Sequence, residues 1–208
     1  RVLFRSAYVV AIVNGHEEPL RTASGSLYGW TGTGFLLSDG RFVTAKHCVE
    51  GWKFGVESIL RDELPSLKEE HQGYLLAGMA GVKGIKLVSL ITATSPTDKL
   101  QFMSTSFRLP TSEERTVAID KDGKVKVTVS SGGHNDWAYT RVNKRGSIPS
   151  DASLSSSLPA GAKLQVLGYP QNLKAEGGSC LYGSCQTSGR GLNGGVIQIG
   201  RASCRERV

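Results

Sequence analysis

The sequence predicts an all-β fold built from antiparallel strands, and three observations lead to this prediction. First, the 208 residues are 39% hydrophobic and 21% charged, with 26 glycines and 7 prolines, a composition typical of a globular chain. Second, short runs rich in Val, Ile, Thr and aromatic residues alternate with turn sequences such as Ser-Asp-Gly and Asp-Lys-Asp-Gly. Third, few segments show helical periodicity, which favours an antiparallel barrel or sandwich over a parallel α/β sheet.

The individual elements follow from these runs. Strands are predicted at 7–13, 32–38, 41–45, 84–93, 100–109, 116–120, 124–130, 137–142, 162–169 and 194–199. Segment 56–76 differs, because it carries charges and spaced leucines that Pro65 interrupts, and it predicts one or two short helices inserted in a loop. A Ser/Pro-rich stretch at 147–161 could link two halves of the molecule.

Both ends of the chain resemble translated sequencing adapters, which should be excluded from fold reasoning. Residues 3–6 can be encoded by CTCTTCCGATCT, and the reverse complement of that DNA reads through residues 199–201. We therefore expect 1–6 and 199–208 to be adapter artefacts and 7–198 to be an open fragment of a longer protein. Two ordinary arginine-rich tails are the alternative.

The charge of the chain depends on these ends. The formal net charge is +7, but five arginines and one glutamate lie in the two end segments, so the remaining chain carries +3. The interior lysines are diluted by aspartates, and no aromatic platform accompanies a basic stripe, so no nucleic-acid partner is predicted. No apolar run approaches the roughly 20 residues that a membrane-spanning helix needs, so no membrane span is predicted either.

The cysteines predict neither a disulfide framework nor a metal site. Cys180 and Cys185 flank Leu-Tyr-Gly-Ser, which could bend back into a small disulfide loop in an oxidising compartment. Free thiols and a zinc pair are the alternatives, but no second Cys/His pair has suitable spacing for zinc. Cys48 is expected to be a buried thiol. No metal and no cofactor are predicted.

The chemistry centres on residues 32–52, where a predicted hairpin turns at Asp39-Gly40 and places His47 just past a strand end. A histidine after an apolar strand is commonly structural. However, Val-Thr-Ala-Lys-His-Cys-Val at 43–49, preceded by Gly-Thr-Gly-Phe at 32–35, resembles the histidine motif of trypsin-like (chymotrypsin-fold) serine peptidases of bacterial type.

Two further pieces share this resemblance. His-Asn-Asp-Trp-Ala-Tyr at 134–139 is similar to the aspartate motif of the family, and the segment ending Gly168-Tyr169-Pro170 resembles a turn of the second barrel. A serine hydroxyl needs a histidine to take its proton, and a buried aspartate fixes the tautomer of that histidine. The resemblance implies that His47 is the general base and that Asp136 orients it. Asp120 and Asp151 are weaker rivals, and His134 could flank the cleft.

The nucleophile motif of the family, Gly-Asp/Asn-Ser-Gly-Gly/Ser-Pro, is absent from the sequence. Ser188 in Thr-Ser-Gly-Arg-Gly is the nearest candidate, but it lacks the preceding Gly and the following Gly-Pro. The serine is therefore expected just past residue 198 of the parent protein. This chain alone is expected to be inactive.

Together, the resemblance implies two antiparallel six-stranded barrels. The first, 7–146, carries a partly helical insertion, and the second, 147–198, is incomplete. The parent would be a secreted, periplasmic or cell-envelope serine endopeptidase, monomeric and acting on polypeptides. The alternatives are a non-catalytic binding module on the same fold and a β-rich surface protein in which the motifs coincide by chance. In the last case His47 and Asp136 would lie far apart.

Overall fold

The protein is mostly β, as its strand-like runs predict. A computed structural model describes residues 2–95, 98–110, 114–122, 124–130, 135–146, 148, 150, 163–168 and 181–186. The strands are β1 Val2–Val13, β2 His16–Pro19, β3 Gly29–Leu36, β4 Arg41–Thr44, β5 Ile85–Ser95, β6 Asp98–Met103, β7 Glu114–Ile119, β8 Val125–Ser130, β9 Ala138–Arg141, β10 Lys163–Gly168 and β11 Leu181–Gln186.

Six of these strands form one curled antiparallel sheet, a half-barrel, in the order β6-β5-β1-β3-β4-β9. The curl is visible in its aromatic core. The rings of Phe42 on β4 and Phe102 on β6 stack at 5.1 Å, although three strands lie between β4 and β6 in the sheet. Beyond β6, Arg108 exchanges two backbone hydrogen bonds with Tyr139 of β9, at 2.8 and 3.1 Å. The two edges of the sheet therefore approach each other.

Strand β1 is the centre of the sheet. One edge of β1 pairs with β5 along most of its length, while the other pairs first with β3 and then with β2. Residues 2–6, expected to be an adapter artefact, form the start of this strand. Asn14 and Gly15 both have positive φ angles, 50° and 89°, which suits the tight turn between β1 and β2.

The predicted hairpin between β3 and β4 turns at Asp39-Gly40. Gly40 has a φ of 83°, which glycine adopts without steric cost. Desolvation raises the pKa of Asp39, but hydrogen bonds from the backbone amide and guanidinium of Arg41 outweigh it and hold the pKa below its ordinary value. The turn therefore fixes the register of β4, which leads to His47.

The helical insertion predicted at 56–76 is present. It begins with α1, Val56–Ser58, continues through a π-helical turn, Ile59–Glu63, and a 3₁₀ turn, Leu64–Ser66, and then reaches α2, Glu69–Met79. The break falls just after Pro65, as the sequence predicts. A second apolar core joins the insertion to the sheet, and it contains Val9, Ala11, Leu20, Tyr28, Trp52, Ile59, Leu67, Leu75 and Leu87.

Three further 3₁₀ turns occur at Lys46–Cys48, Gly51–Lys53 and Ser104–Ser106. The last of these ends the strand predicted at 100–109 early, at Met103. Ser104 is buried there and receives a hydrogen bond from the backbone N–H of Ser89 at 2.9 Å. The turn at the end of β6 therefore provides a partner for a buried backbone N–H group of β5.

Two small antiparallel pairs complete the described chain, β7 with β8 and β10 with β11. The sequence predicts no strand at 181–186, but this segment forms β11 and gains a ladder of backbone hydrogen bonds by pairing with β10. Within the described ranges, no helix is long and apolar enough to cross a bilayer.

Candidate functional site

The register of two neighbouring strands brings His47 and Asp136 together. In the antiparallel pair β4–β9, Thr44 lies opposite Ala138, so the end of β4 meets the start of β9. The chain then passes from β4 into the 3₁₀ turn that contains His47, while Asp136 lies two residues before β9. Residues 89 positions apart in the chain therefore become spatial neighbours.

Three hydrogen bonds join the two segments. The backbone N–H of Lys46 donates to the Asp136 carbonyl at 3.2 Å, which extends the strand pairing. The backbone N–H of His47 donates to Asp136 Oδ1 at 2.9 Å, and the His47 imidazole is hydrogen-bonded through Nδ1 to Asp136 Oδ2. Both carboxylate oxygens of Asp136 are therefore used to hold a single residue.

This arrangement sets the tautomer of the histidine. An ionised carboxylate can only accept hydrogen bonds, so the proton between the two groups belongs to Nδ1 of His47. In the neutral ring, Nε2 is then the basic nitrogen. If Nε2 takes a proton, the carboxylate of Asp136 compensates the positive charge that develops on the ring.

Asp136 differs from the buried aspartate that the sequence suggests. Its side chain is 42% exposed and that of His47 is 28% exposed. Asp136 is exposed because it precedes β9 at the end of the sheet. There the neighbouring strand β4 covers only one side of the residue. The ring of Phe54 lies edge-on to the imidazole, with 5.9 Å between ring centroids, and packs against it.

Two polar side chains, one partly buried and one buried, fix the turn that follows β4. Trp30 Nε1 donates to the carbonyl of Cys48 at 2.9 Å, and Ser89 Oγ donates to the carbonyl of Val49 at 2.6 Å. Cys48 itself is buried, as expected. These donors satisfy carbonyl groups that a short 3₁₀ turn cannot pair internally. The backbone around His47 is thus anchored to β3 and β5.

Sequence reasoning missed these supporting residues. Trp30, Ser89 and Phe54 lie in runs that resemble ordinary core or loop sequence. The partners of Trp30 and Ser89 are backbone carbonyl groups, and that of Phe54 is the His47 ring, and no motif reveals these contacts. Lys46 was also missed, although it follows the alternation of buried residues along β4, where Phe42 and Thr44 are buried. That alternation is the one signal that could have identified it.

Several sequence-predicted residues lie outside the described residues, namely His134, Asp151, Tyr169, Pro170, Cys180 and Ser188. Gly168 ends β10, and Cys185 lies on β11 opposite Leu164. The Cys180–Cys185 disulfide and the role of Ser188 therefore stay predictions. Asp120 lies at the β7–β8 turn, where its carboxylate accepts backbone hydrogen bonds from Asp122 and Lys124, a turn-forming role.

His16 and His71 are distant from His47 and Asp136 in the sequence, and their contacts are with other residues. His16 is exposed on β2, whereas His71 is buried in α2 and its Nδ1 accepts the backbone N–H of Arg21 at 2.7 Å. In the described part of the chain, no three His, Cys, Asp or Glu side chains are grouped so as to hold a metal ion.

Comparison of the chain with protein-family models, with curated proteins and with solved structures finds no match in any of the three.

Proposed function

We propose that this chain carries the histidine and aspartate of a trypsin-like serine endopeptidase. The observation that carries the proposal is the pair itself, in which Asp136 accepts hydrogen bonds from both Nδ1 and the backbone N–H of His47. His47 takes the proton of a serine hydroxyl as general base and then returns it to the leaving amine as general acid. Asp136 holds the ring in the required tautomer.

The remaining parts of the mechanism are assigned to sequence beyond this site. The serine and the backbone N–H groups of the oxyanion hole are proposed to follow residue 198 in the parent protein, with Ser188 as the rival nucleophile. In this proposal the half-barrel belongs to the first of two six-stranded barrels, and β10–β11 belongs to the second. The parent is proposed to be an exported monomer that acts on polypeptides without a cofactor.

The decisive experiment uses the parent protein, obtained by reading the source DNA past codon 198. A fluorophosphonate probe reports an activated serine, because the serine oxygen bonds to phosphorus and fluoride leaves. We expect labelling of the parent and a fall in the labelling rate of about 10⁴-fold for Asp136→Asn, the size typical of a lost tautomer constraint. His47→Ala should also abolish labelling.

Two controls make the result specific. His16→Ala removes an exposed histidine on β2 and should label like the wild type. Ser188→Ala should leave labelling intact if the nucleophile lies beyond residue 198, and should abolish it if Ser188 is the nucleophile. Labelling that survives His47→Ala contradicts the proposal. A folded parent with another residue at the serine position would instead indicate the non-catalytic binding module.

The surface-protein alternative, in which the motifs coincide by chance, receives no support from the geometry. It expects His47 and Asp136 to be far apart, whereas they are hydrogen-bonded.

A further inference from the structure

Lys46 is the buried cation nearest in sequence to the proposed general base. The residue is only 2% exposed, an unusual position for a lysine, which is almost never fully buried unless it is paired. Its ammonium group donates to the carbonyl of Pro110 at 3.2 Å. Burying a charge without a hydrogen bond is costly, so the hydrogen bond to the Pro110 carbonyl stabilises the buried ammonium group.

The contacts of Lys46 reach both neighbours of strand β9. Its backbone belongs to the turn that follows β4, and its N–H donates to the Asp136 carbonyl. Its side chain reaches Pro110, in the segment whose Arg108 pairs with Tyr139 on the opposite edge of β9. Lys46 therefore links the turn after β4 with the segment that contains Pro110. These two segments lie on opposite sides of β9, the strand that Asp136 precedes.

The turn also depends on the backbone carbonyl of Lys46, which accepts the N–H groups of Val49 at 2.8 Å and of Glu50 at 3.0 Å. A displacement of Lys46 would therefore move the turn that carries His47 and, through the Asp136 carbonyl, the entry to β9. The hydrogen bond between His47 Nδ1 and Asp136 depends on the positions of both the turn and the entry to β9.

We infer that Lys46 is a positioning residue for the His47–Asp136 pair, and that its ammonium–carbonyl contact with Pro110 keeps the imidazole on the carboxylate. Its role in catalysis rests on the proposed function. The hydrogen bond itself is measurable in this chain without any peptidase activity, so failure of the positioning role and failure of the peptidase assignment are separate outcomes.

The test is proton and ¹⁵N NMR of the histidine rings. A proton held between Nδ1 and a carboxylate gives a low-field resonance, which His47→Gln and Asp136→Asn identify by its loss. Lys46→Met keeps the length and apolar stem of the side chain but removes the donor. We expect the resonance to be lost in this variant, while the ring signals of His71 stay unchanged and report an intact fold.

Lys53→Met is the matched control, since it removes an ammonium group from the adjacent turn, where Lys53 pairs with Glu50 at 3.1 Å. It should keep the resonance. A Lys46→Met protein that folds and retains the low-field signal at wild-type intensity overturns the inference. If the Met variant does not fold, Lys46→Arg decides. Its guanidinium can still donate to Pro110, so a folded Arg variant should keep the signal, and its loss there would also overturn the inference.

Discussion

Ser89 illustrates how single buried hydrogen bonds support the candidate site at the scale of the residue. Its hydroxyl donates to the carbonyl of Val49 at 2.6 Å, and both residues are fully buried. No water can replace that donor easily in such a packed position. The geometry of the turn that carries His47 therefore depends on a side chain on β5, well outside the histidine motif.

Ser89→Ala should destabilise the protein by about 1–3 kcal/mol, because the Val49 carbonyl is left buried without this donor. Ser106→Ala is the matched control: its hydroxyl also donates to a backbone carbonyl, that of Met103 at 2.8 Å, but on an exposed turn. There we expect a change within about 0.5 kcal/mol. The free energies of unfolding in urea give both values. Equal losses for the two variants would contradict the argument.

Helix α2 packs closely against the sheet with one face and exposes the other face to solvent. A Cβ added at Gly78 would lie 2.4 Å from Cγ of the buried Leu87 on β5, whereas one added at Gly73 would meet no atom within 4 Å. The helix thus approaches the sheet most closely at Gly78. His71 and Leu75 are buried on the same helix.

Two identical substitutions in this helix should therefore have opposite signs. Gly73→Ala should stabilise the protein by about 0.5–1 kcal/mol, since alanine favours the helical backbone and the added methyl group has space. Gly78→Ala should destabilise it by about 1–3 kcal/mol, because the methyl group overlaps Leu87. Thermal unfolding of the two variants, measured side by side, checks the prediction. A stabilised Gly78→Ala protein would show that α2 does not dock on β5 in this way.

The whole molecule depends on the curl of its main sheet. The rings of Phe42, Phe102 and Phe107 contact one another at centroid distances of 5.1–6.3 Å and join β4 to β6 and to the segment that follows β6. These apolar contacts bring the edges of the sheet close enough for Arg108 to pair with Tyr139. The position of β9, and with it Asp136, follows from this core.

Phe42→Ala should cost about 3–5 kcal/mol, a large part of the roughly 5–15 kcal/mol that stabilises a typical domain. Val82→Ala, at a residue 44% exposed, should change stability by no more than about 0.5 kcal/mol. Urea unfolding measures both. In Phe42→Ala the low-field resonance of the His47 proton should lose intensity as the fold is lost. A small change in the free energy of unfolding of this variant would mean that the aromatic core does not hold the curl.

Local features of this protein could be predicted from the amino-acid sequence alone. The strand runs, the Asp39-Gly40 turn and the helical segment interrupted near Pro65 follow from residue spacing and backbone preference, which act over a few neighbouring residues. The resemblance of segments 43–49 and 134–139 to the motifs of a known family singled out His47 and Asp136 as candidates. It could not show that they meet, because their contact depends on pairing between strands far apart in the chain.

That contact and the residues that support it arise from long-range pairing in the folded chain. The register of β4 against β9 places the imidazole on the carboxylate, and the curl of the sheet brings Pro110 to the ammonium group of Lys46. Pairing with β10 also makes residues 181–186 a strand that local composition does not predict. The physical reason is common to all three: backbone groups and buried charges are satisfied by partners distant in sequence, and local composition does not specify those partners.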